Sequence, residues 1–108
     1  MNSENKLAAL KLSGREGVEI DHAGALKILE ERVEYGDSEA MWILGMCCDF
    51  GIGCEPNLSK AKSLYEQSKS RGNHVGRFFS NNGDPARKYR GEGAFIVGQG
   101  LFSVRTEE

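Results

Sequence analysis

The sequence predicts an all-α fold in which antiparallel helix pairs stack as a short right-handed solenoid and end in an irregular C-terminal tail. The first observation is a repeat of 36 residues, because a shift of that length places alike residues on each other without a gap. The matched pairs are Ala25 with Ala61, Glu30 with Glu66, Gly36 with Gly72, Asp37 with Asn73, Gly17 with Gly53 and Glu19 with Glu55. The second is apolar residues at helical spacing between the glycines. The third is composition, since 14 glycines and only two prolines are typical of short helices joined by glycine turns.

The segment from Ala40 to Phe50 is predicted to be the first helix of a complete repeat. Its apolar residues follow the i, i+3, i+4, i+7 spacing of one buried stripe, which consists of Ala40, Ile43, Leu44 and Cys47. Asp37 or Ser38 is expected to cap the start of this helix. Gly51 and Gly53 supply the turn that ends it.

The segment from Leu58 to Ser70 is predicted to be the second helix of that repeat. Its inner stripe consists of Ala61, Leu64, Tyr65 and Ser68. Gly72 is expected to stop the helix. Upstream, Ala23 to Tyr35 matches this helix with a stripe of Ala25, Ile28, Leu29 and Val33, and Gly36 stops it. Lys6 to Leu12 is interpreted as the remnant of a first helix. Residues 1–75 are therefore predicted to hold about two repeats, partial over 6–36 and complete over 37–73.

The last third, residues 76–108, breaks the pattern. Asn81 to Pro85 is rich in turn residues, Arg87 to Arg90 is basic, and Phe95 to Val104 is apolar with interior glycines. That apolar stretch is predicted to be a strand or an irregular cap. The whole segment is open to three interpretations: a degenerate capping repeat, a flexible tail, or a repeat cut by the end of the chain.

The repeated residues resemble the Sel-one-like repeat family, which is related to the tetratricopeptide repeats. The family pattern has Ala followed by Leu-Gly in the first helix and Gly-x-Gly in the turn. It then has Ala and an aromatic residue four positions later, and it closes with Gly-Asn or Gly-Asp. The matching residues here are Ala40, Leu44, Gly45, Gly51, Gly53, Ala61, Tyr65 and Gly72 with Asn73. Cys48, Cys54 and Asn57 depart from the family's aromatic, Val and Asp at their positions.

This resemblance implies a non-catalytic adaptor or scaffold that binds a protein or peptide. In stacked helix pairs the first helices line the concave surface that holds partners. We therefore expect partner contacts at Met41, Trp42, Asp49 and Glu39, because Trp and Met are enriched at the centres of interfaces. Packing between neighbouring repeats is the alternative interpretation of Met41 and Trp42.

Catalytic and metal-binding motifs are not recognisable in the sequence. Cys47, Cys48 and Cys54 have no CxxC spacing and no histidine at a zinc-ligand distance, so we interpret them as packing residues with one exposed thiol. Gly51 and Gly53 lack the Lys-Ser/Thr of a phosphate loop. We predict no enzymatic activity, no metal and no cofactor.

Charge is distributed unevenly around a net of −2, which argues against general nucleic-acid affinity. Residues 1–55 carry 5 Lys/Arg against 11 Asp/Glu, and residues 56–108 carry 9 against 5. The alternative function is therefore binding of nucleic acid or an acidic surface through the basic segment from Arg77 to Arg90. Self-association through open repeat ends is also expected. Free thiols, a polar start and no transmembrane segment suggest an intracellular, cytoplasmic protein.

Overall fold

A computed structural model describes residues 2–81, 94–97 and 100–103. Within these residues the chain forms five helices followed by two strands. The helices are α1 Ser3–Ser13, α2 His22–Glu34, α3 Ser38–Phe50, α4 Leu58–Ser70 and α5 His74–Asn81. Strands β1 Ala94–Val97 and β2 Gly100–Ser103 pair antiparallel, with Ala94 opposite Ser103 and Val97 opposite Gly100. None of the helices within residues 2–81 is long and apolar enough to cross a bilayer.

Each helix begins at an Asn or Asp whose side chain accepts hydrogen bonds from backbone amides of the first turn. These capping residues are Asn2, Asp21, Asp37, Asn57 and Asn73. A side-chain oxygen at this position satisfies amides that have no partner within the helix. Asp21 and Asn57 stand 36 residues apart, as do Asp37 and Asn73. The 36-residue repeat is therefore visible in the helix starts.

The helix bounds agree closely with those predicted. α4 has the predicted bounds, and α2 and α3 begin one and two residues earlier than expected. The buried residues of α4 are the four of the predicted stripe. The remnant expected at residues 6–12 is instead a full helix, because Asn2 caps its start and Gly14, with φ +72°, ends it.

Helix α3 lies at the centre of the described fold and contacts α2, α4 and α5. All ten residues from Ala40 to Asp49 are buried, so this helix has no polar face. The prediction of a single buried stripe on this helix is wrong, because neighbours cover its whole circumference. The core around it includes Ala8, Leu12, Ala25, Leu29, Ala61, Leu64 and Phe79.

Helix α5 was not predicted from the sequence, although it begins 36 residues after α3. The repeat signal is lost there because Gly76 stands where the previous repeat has Ala40. The structure explains this change. A Cβ atom on Gly76 would lie 2.1 Å from the Ser68 hydroxyl oxygen, so α5 packs against α4 only without a side chain at this position.

The paired strands β1 and β2 agree with the strand alternative for the described part of the apolar C-terminal stretch. Residues 94–97 and 100–103 form strands, so the expectation of an irregular tail is wrong for them. The predicted domain boundary at residue 75 falls inside α5, and the domain assignment of 76–108 stays a prediction. The basic residues from Arg87 to Arg90 and the turn residues after Asn81 lie outside the described residues.

Candidate protein-interaction site

The residues expected to contact a partner lie mostly inside the protein. Met41, Trp42 and Asp49 have exposed fractions of 3%, 0% and 2%. Glu39 is half-buried, and its carboxylate accepts a hydrogen bond of 3.0 Å from the Asn5 side-chain amide. The burial of Met41 and Trp42 agrees with the alternative of packing between helices. Partner contact at these four residues stays a prediction.

Trp42 belongs to a row of three aromatic rings that runs toward the surface. The ring of Phe79 stacks on Trp42 with centroids 5.8 Å apart and on Tyr65 with centroids 5.1 Å apart. Offset stacking at these distances is favourable beyond the area that the rings bury. Helices α3, α4 and α5 are therefore joined through one aromatic cluster.

A cleft of about 360 Å³ opens between α4 and α5 at the outer end of this row. It is lined by Lys62, Tyr65, Glu66, Phe79 and Ser80. The rings of Tyr65 and Phe79 form its apolar floor. A volume of this size is at the lower end for ligand sites, and it is enough for one large side chain of a partner.

The rim of the cleft is polar. Lys62 and Glu66 are exposed, and the Ser80 hydroxyl donates a hydrogen bond to the Glu66 carboxylate. Helix α4 carries three lysines, Lys60, Lys62 and Lys69, against the single acidic residue Glu66. Among the described residues that line the cleft, Lys62 is the cation and Glu66 is the anion.

Tyr65 connects the cleft to the core. Burial raises the pKa of its hydroxyl well above the ordinary value, and the neighbouring Asp49 carboxylate raises it further. The hydroxyl, which is protonated at neutral pH, lies 3.4 Å from Asp49 Oδ2 and donates to it. The ring is thus held at both ends, which fixes the cleft floor in place.

The sequence pattern did not predict Phe79 or Ser80 as cleft residues, because it did not predict α5. The 36-residue shift contained the signal, since it places Ile43 of α3 on Phe79. Of the predicted motif residues, Tyr65 lines the cleft itself. Gly45 supports it from behind, because a Cβ on Gly45 would lie 2.8 Å from Tyr65 Cε1 and 3.2 Å from the Ala61 carbonyl oxygen.

The turn glycines of the motif have separate structural roles. Gly51, Gly53 and Gly72 have φ angles of +73°, +76° and +83°, which glycine adopts without strain. A Cβ on Gly51 would lie 2.7 Å from Pro56 Cγ, and a Cβ on Gly53 would lie 2.9 Å from Leu26 Cδ1. Around Gly72 there is open space. These residues shape the turns and are outside the cleft.

A second polar cluster surrounds Asp37, where the N-terminal ends of α1 and α3 meet. Its Oδ2 accepts hydrogen bonds from Asn2 at 2.8 Å and Asn5 at 3.1 Å, and it pairs with Arg32 at 3.3 Å. Burial raises the pKa of this carboxyl, but the hydrogen bonds from Asn2, the Ala40 amide, Arg32 and Asn5 outweigh burial and hold the pKa below its ordinary value. Asp37 therefore stays ionised and ties α1 to α3.

The three cysteines are free thiols in unequal surroundings. Cys47 and Cys48 are buried and Cys54 is exposed. Burial raises the pKa of Cys47 far above its ordinary value and that of Cys48 to about 11, and neighbouring thiols add to both shifts. Cys47 and Cys48 are therefore protonated at neutral pH. The part of the chain that the structure describes has no cluster of three metal-binding side chains.

Comparison with known proteins gives a partial likeness. No family model matches the chain. The chain is 34% identical over 58 residues to the mouse (Mus musculus) protein named DAP3-binding cell death enhancer 1. The match covers 54% of this chain and 11% of that protein. The chain therefore corresponds to a small part of that relative.

Proposed function

We propose that this chain is a protein-binding module of Sel-one-like helical repeats and that the cleft between α4 and α5 receives its partner. The cleft is the observation that carries the proposal. Its floor presents two fixed aromatic rings, and its rim presents a cation and a hydroxyl-carboxylate pair. Aromatic floors with polar rims are typical of the central contacts of protein interfaces.

The 36-residue spacing of the helices supports the repeat assignment. α4 begins 36 residues after α2, and α5 begins 36 residues after α3. The family-like residues also have mutual contacts, because Gly45 lets α3 approach both Ala61 and Tyr65 of α4. Helix pairs of this kind bury their apolar faces by stacking, and they most often serve as binding scaffolds.

The mouse relative supports the general class of function. Its name says that it binds DAP3, and a binding role for the matched segment would agree with the proposal made here. Purified DAP3 is therefore a suitable first probe. Neither a fold nor a partial likeness identifies a binding partner. Purified DAP3 is therefore tested together with an unbiased capture of proteins from extract.

The test is affinity capture from nuclease-treated native extract, together with purified DAP3. The wild type is compared with Ser80→Arg, which fills the cleft with a long side chain. Ser63→Arg is the matched control, because Ser63 is an exposed residue of α4 outside the cleft lining. Circular dichroism confirms that both variants remain helical.

We expect specific proteins to be captured by the wild type and by Ser63→Arg, and to be lost with Ser80→Arg. Capture that survives Ser80→Arg would place the partner surface elsewhere. Capture of nothing specific by any form would overturn the protein-binding function.

A further inference from the structure

We infer that the cleft between α4 and α5 takes an amphipathic helix of a partner, with one large apolar anchor on the cleft floor and an acidic side chain facing Lys62. This inference rests on the proposed function, since it specifies the chemistry of the partner in the same cleft. Three observations carry the inference. They are the equivalent surface one repeat earlier, the structure of the described C-terminal residues, and the charge of the cleft rim.

The equivalent place one repeat earlier lies between α2 and α3. A shift of 36 residues relates the cleft lining to Leu26, Leu29, Glu30, Ile43 and Leu44. There the chain itself covers the surface. Gly53, in the turn before α4, approaches Leu26 so closely that a Cβ would lie 2.9 Å from Leu26 Cδ1. Helix α4 then packs along α3.

The residues that lie 36 positions after α4 do not form a helix where the structure describes them. Adding 36 to the bounds of α4 gives residues 94–106, and the described residues in that range form β1 and β2. Among the described residues, therefore, a helix equivalent to α4 does not follow α5. Within the described residues, the surface that the Gly53 turn covers beside α4 in one repeat is an open cleft in the next, which favours a helix supplied by another protein.

The differences between the two linings define the chemistry of that helix. Leu29 and Ile43 correspond to Tyr65 and Phe79, so the floor remains apolar and requires an apolar anchor. Leu26 corresponds to Lys62, so the rim gains a cation where the earlier repeat has an alkyl side chain. The carboxylate that lines the cleft, Glu66, is already bonded to Ser80. An acidic side chain on the partner therefore complements Lys62.

The probe is a set of four fluorescein-labelled, stapled helical peptides of 16 residues on one Ala/Gln background. The anchor is Trp or Ala, and the residue four positions later is Glu or Lys. Fluorescence anisotropy gives Kd for the wild type and for Lys62→Glu. Lys27→Glu is the matched control, because Lys27 is an exposed lysine of α2 outside the cleft.

We expect the Trp/Glu peptide to bind most tightly. Replacing its Trp with Ala should weaken binding by roughly 30-fold, the effect of removing an interface anchor. Replacing its Glu with Lys should weaken binding by about three- to ten-fold, because the rim pair is exposed. Lys62→Glu should reverse the preference for Glu over Lys, and Lys27→Glu should leave it unchanged.

Two results would overturn the inference. One is equal binding of the Glu and Lys peptides, and the other is equal or tighter binding of an unstapled peptide whose added proline prevents a helix. Either result is distinguishable from failure of the proposed function, because cleft-dependent capture of a protein by the wild type would persist. Loss of that capture would contradict both the proposed function and the inference.

Discussion

Gly45 of α3 lies directly against the ring of Tyr65 on α4. A Cβ on Gly45 would lie 2.8 Å from Tyr65 Cε1, shorter than Cβ contacts found in proteins. The same tyrosine ring stacks on Phe79 and forms part of the cleft floor. The packing of the repeat and the shape of the cleft therefore depend on the same contact.

Replacing Gly45 with alanine should destabilise the protein. In an exposed helix this change stabilises by about 1 kcal/mol, because glycine is a poor helix former. Here the added methyl group meets a fixed ring and a backbone carbonyl, and overpacking of this kind costs about 1–3 kcal/mol. We expect a net loss of about 0–2 kcal/mol in urea unfolding, since the overpacking cost is reduced by the gain in helix propensity. Ser63→Ala on the exposed face of α4 is the control, and a Gly45→Ala variant more stable than the wild type by about 1 kcal/mol, as in an exposed helix, would contradict the packing role.

Alanine substitutions at Gly51 and Gly72 distinguish the cost of backbone strain from the cost of a steric clash. Both have positive φ angles, so alanine costs about 1–2 kcal/mol at either position. Only at Gly51 does the added Cβ also meet Pro56, at 2.7 Å. We expect Gly51→Ala to lose more stability than Gly72→Ala in parallel urea unfolding curves. The reverse order would show that the turn at Pro56 relaxes freely.

The fold was predictable where the repeat signal is strong. α2, α3 and α4 were placed within two residues, since glycines and capping residues mark their ends. α5 was missed because Gly76 is an adaptation to Ser68, a contact between helices that no local pattern contains. The complete burial of α3 was missed for a similar reason, since several neighbours combine to produce it. The cleft depends on α5 and was therefore not predicted, although the 36-residue shift that places Phe79 on Ile43 carries a sequence signal for it.

Acid should weaken the connection between α1 and α3. The pKa of Asp37 is held below its ordinary value in the folded protein, so its contribution to stability is fully present above the unfolded pKa of about 4. That contribution is lost as the pH falls through the folded pKa. We expect the free energy of unfolding of the wild type to fall below about pH 4, measured by urea unfolding across pH.

Two variants at Asp37 separate capping from titration. Asp37→Ala removes the helix cap and should cost about 1 kcal/mol at neutral pH. Asp37→Asn keeps a capping oxygen and should therefore lose less stability at neutral pH than Asp37→Ala. Its free energy of unfolding should also change less with acid than that of the wild type. A residual dependence remains from Asp21, whose pKa is also lowered by the Gly24 amide and Lys11. An unchanged acid profile in Asp37→Asn would exclude this carboxyl as the titrating group.

The three thiols should react with alkylating reagents in two classes. Cys54 is exposed and should react first with iodoacetamide at pH 8. Cys47 and Cys48 should react slowly, because burial restricts access and raises their pKa values. Mass spectrometry of timed samples identifies the modified residue, and the same reaction in urea should modify all three. Early modification of Cys47 would contradict the packing of α3.

Phe79→Leu should destabilise the protein and loosen the cleft at the same time. Leucine retains much of the apolar volume but removes the stacking on Trp42 and Tyr65, worth about 0.5–1.5 kcal/mol for each pair. We expect a loss of about 1–3 kcal/mol in urea unfolding followed by the fluorescence of Trp42. Tyr35→Leu is the control, because Tyr35 is 78% exposed and packs outside the core. If Phe79→Leu unfolds at the wild-type urea concentration, the aromatic row does not hold α5 on α3 and α4, and the cleft loses its fixed floor.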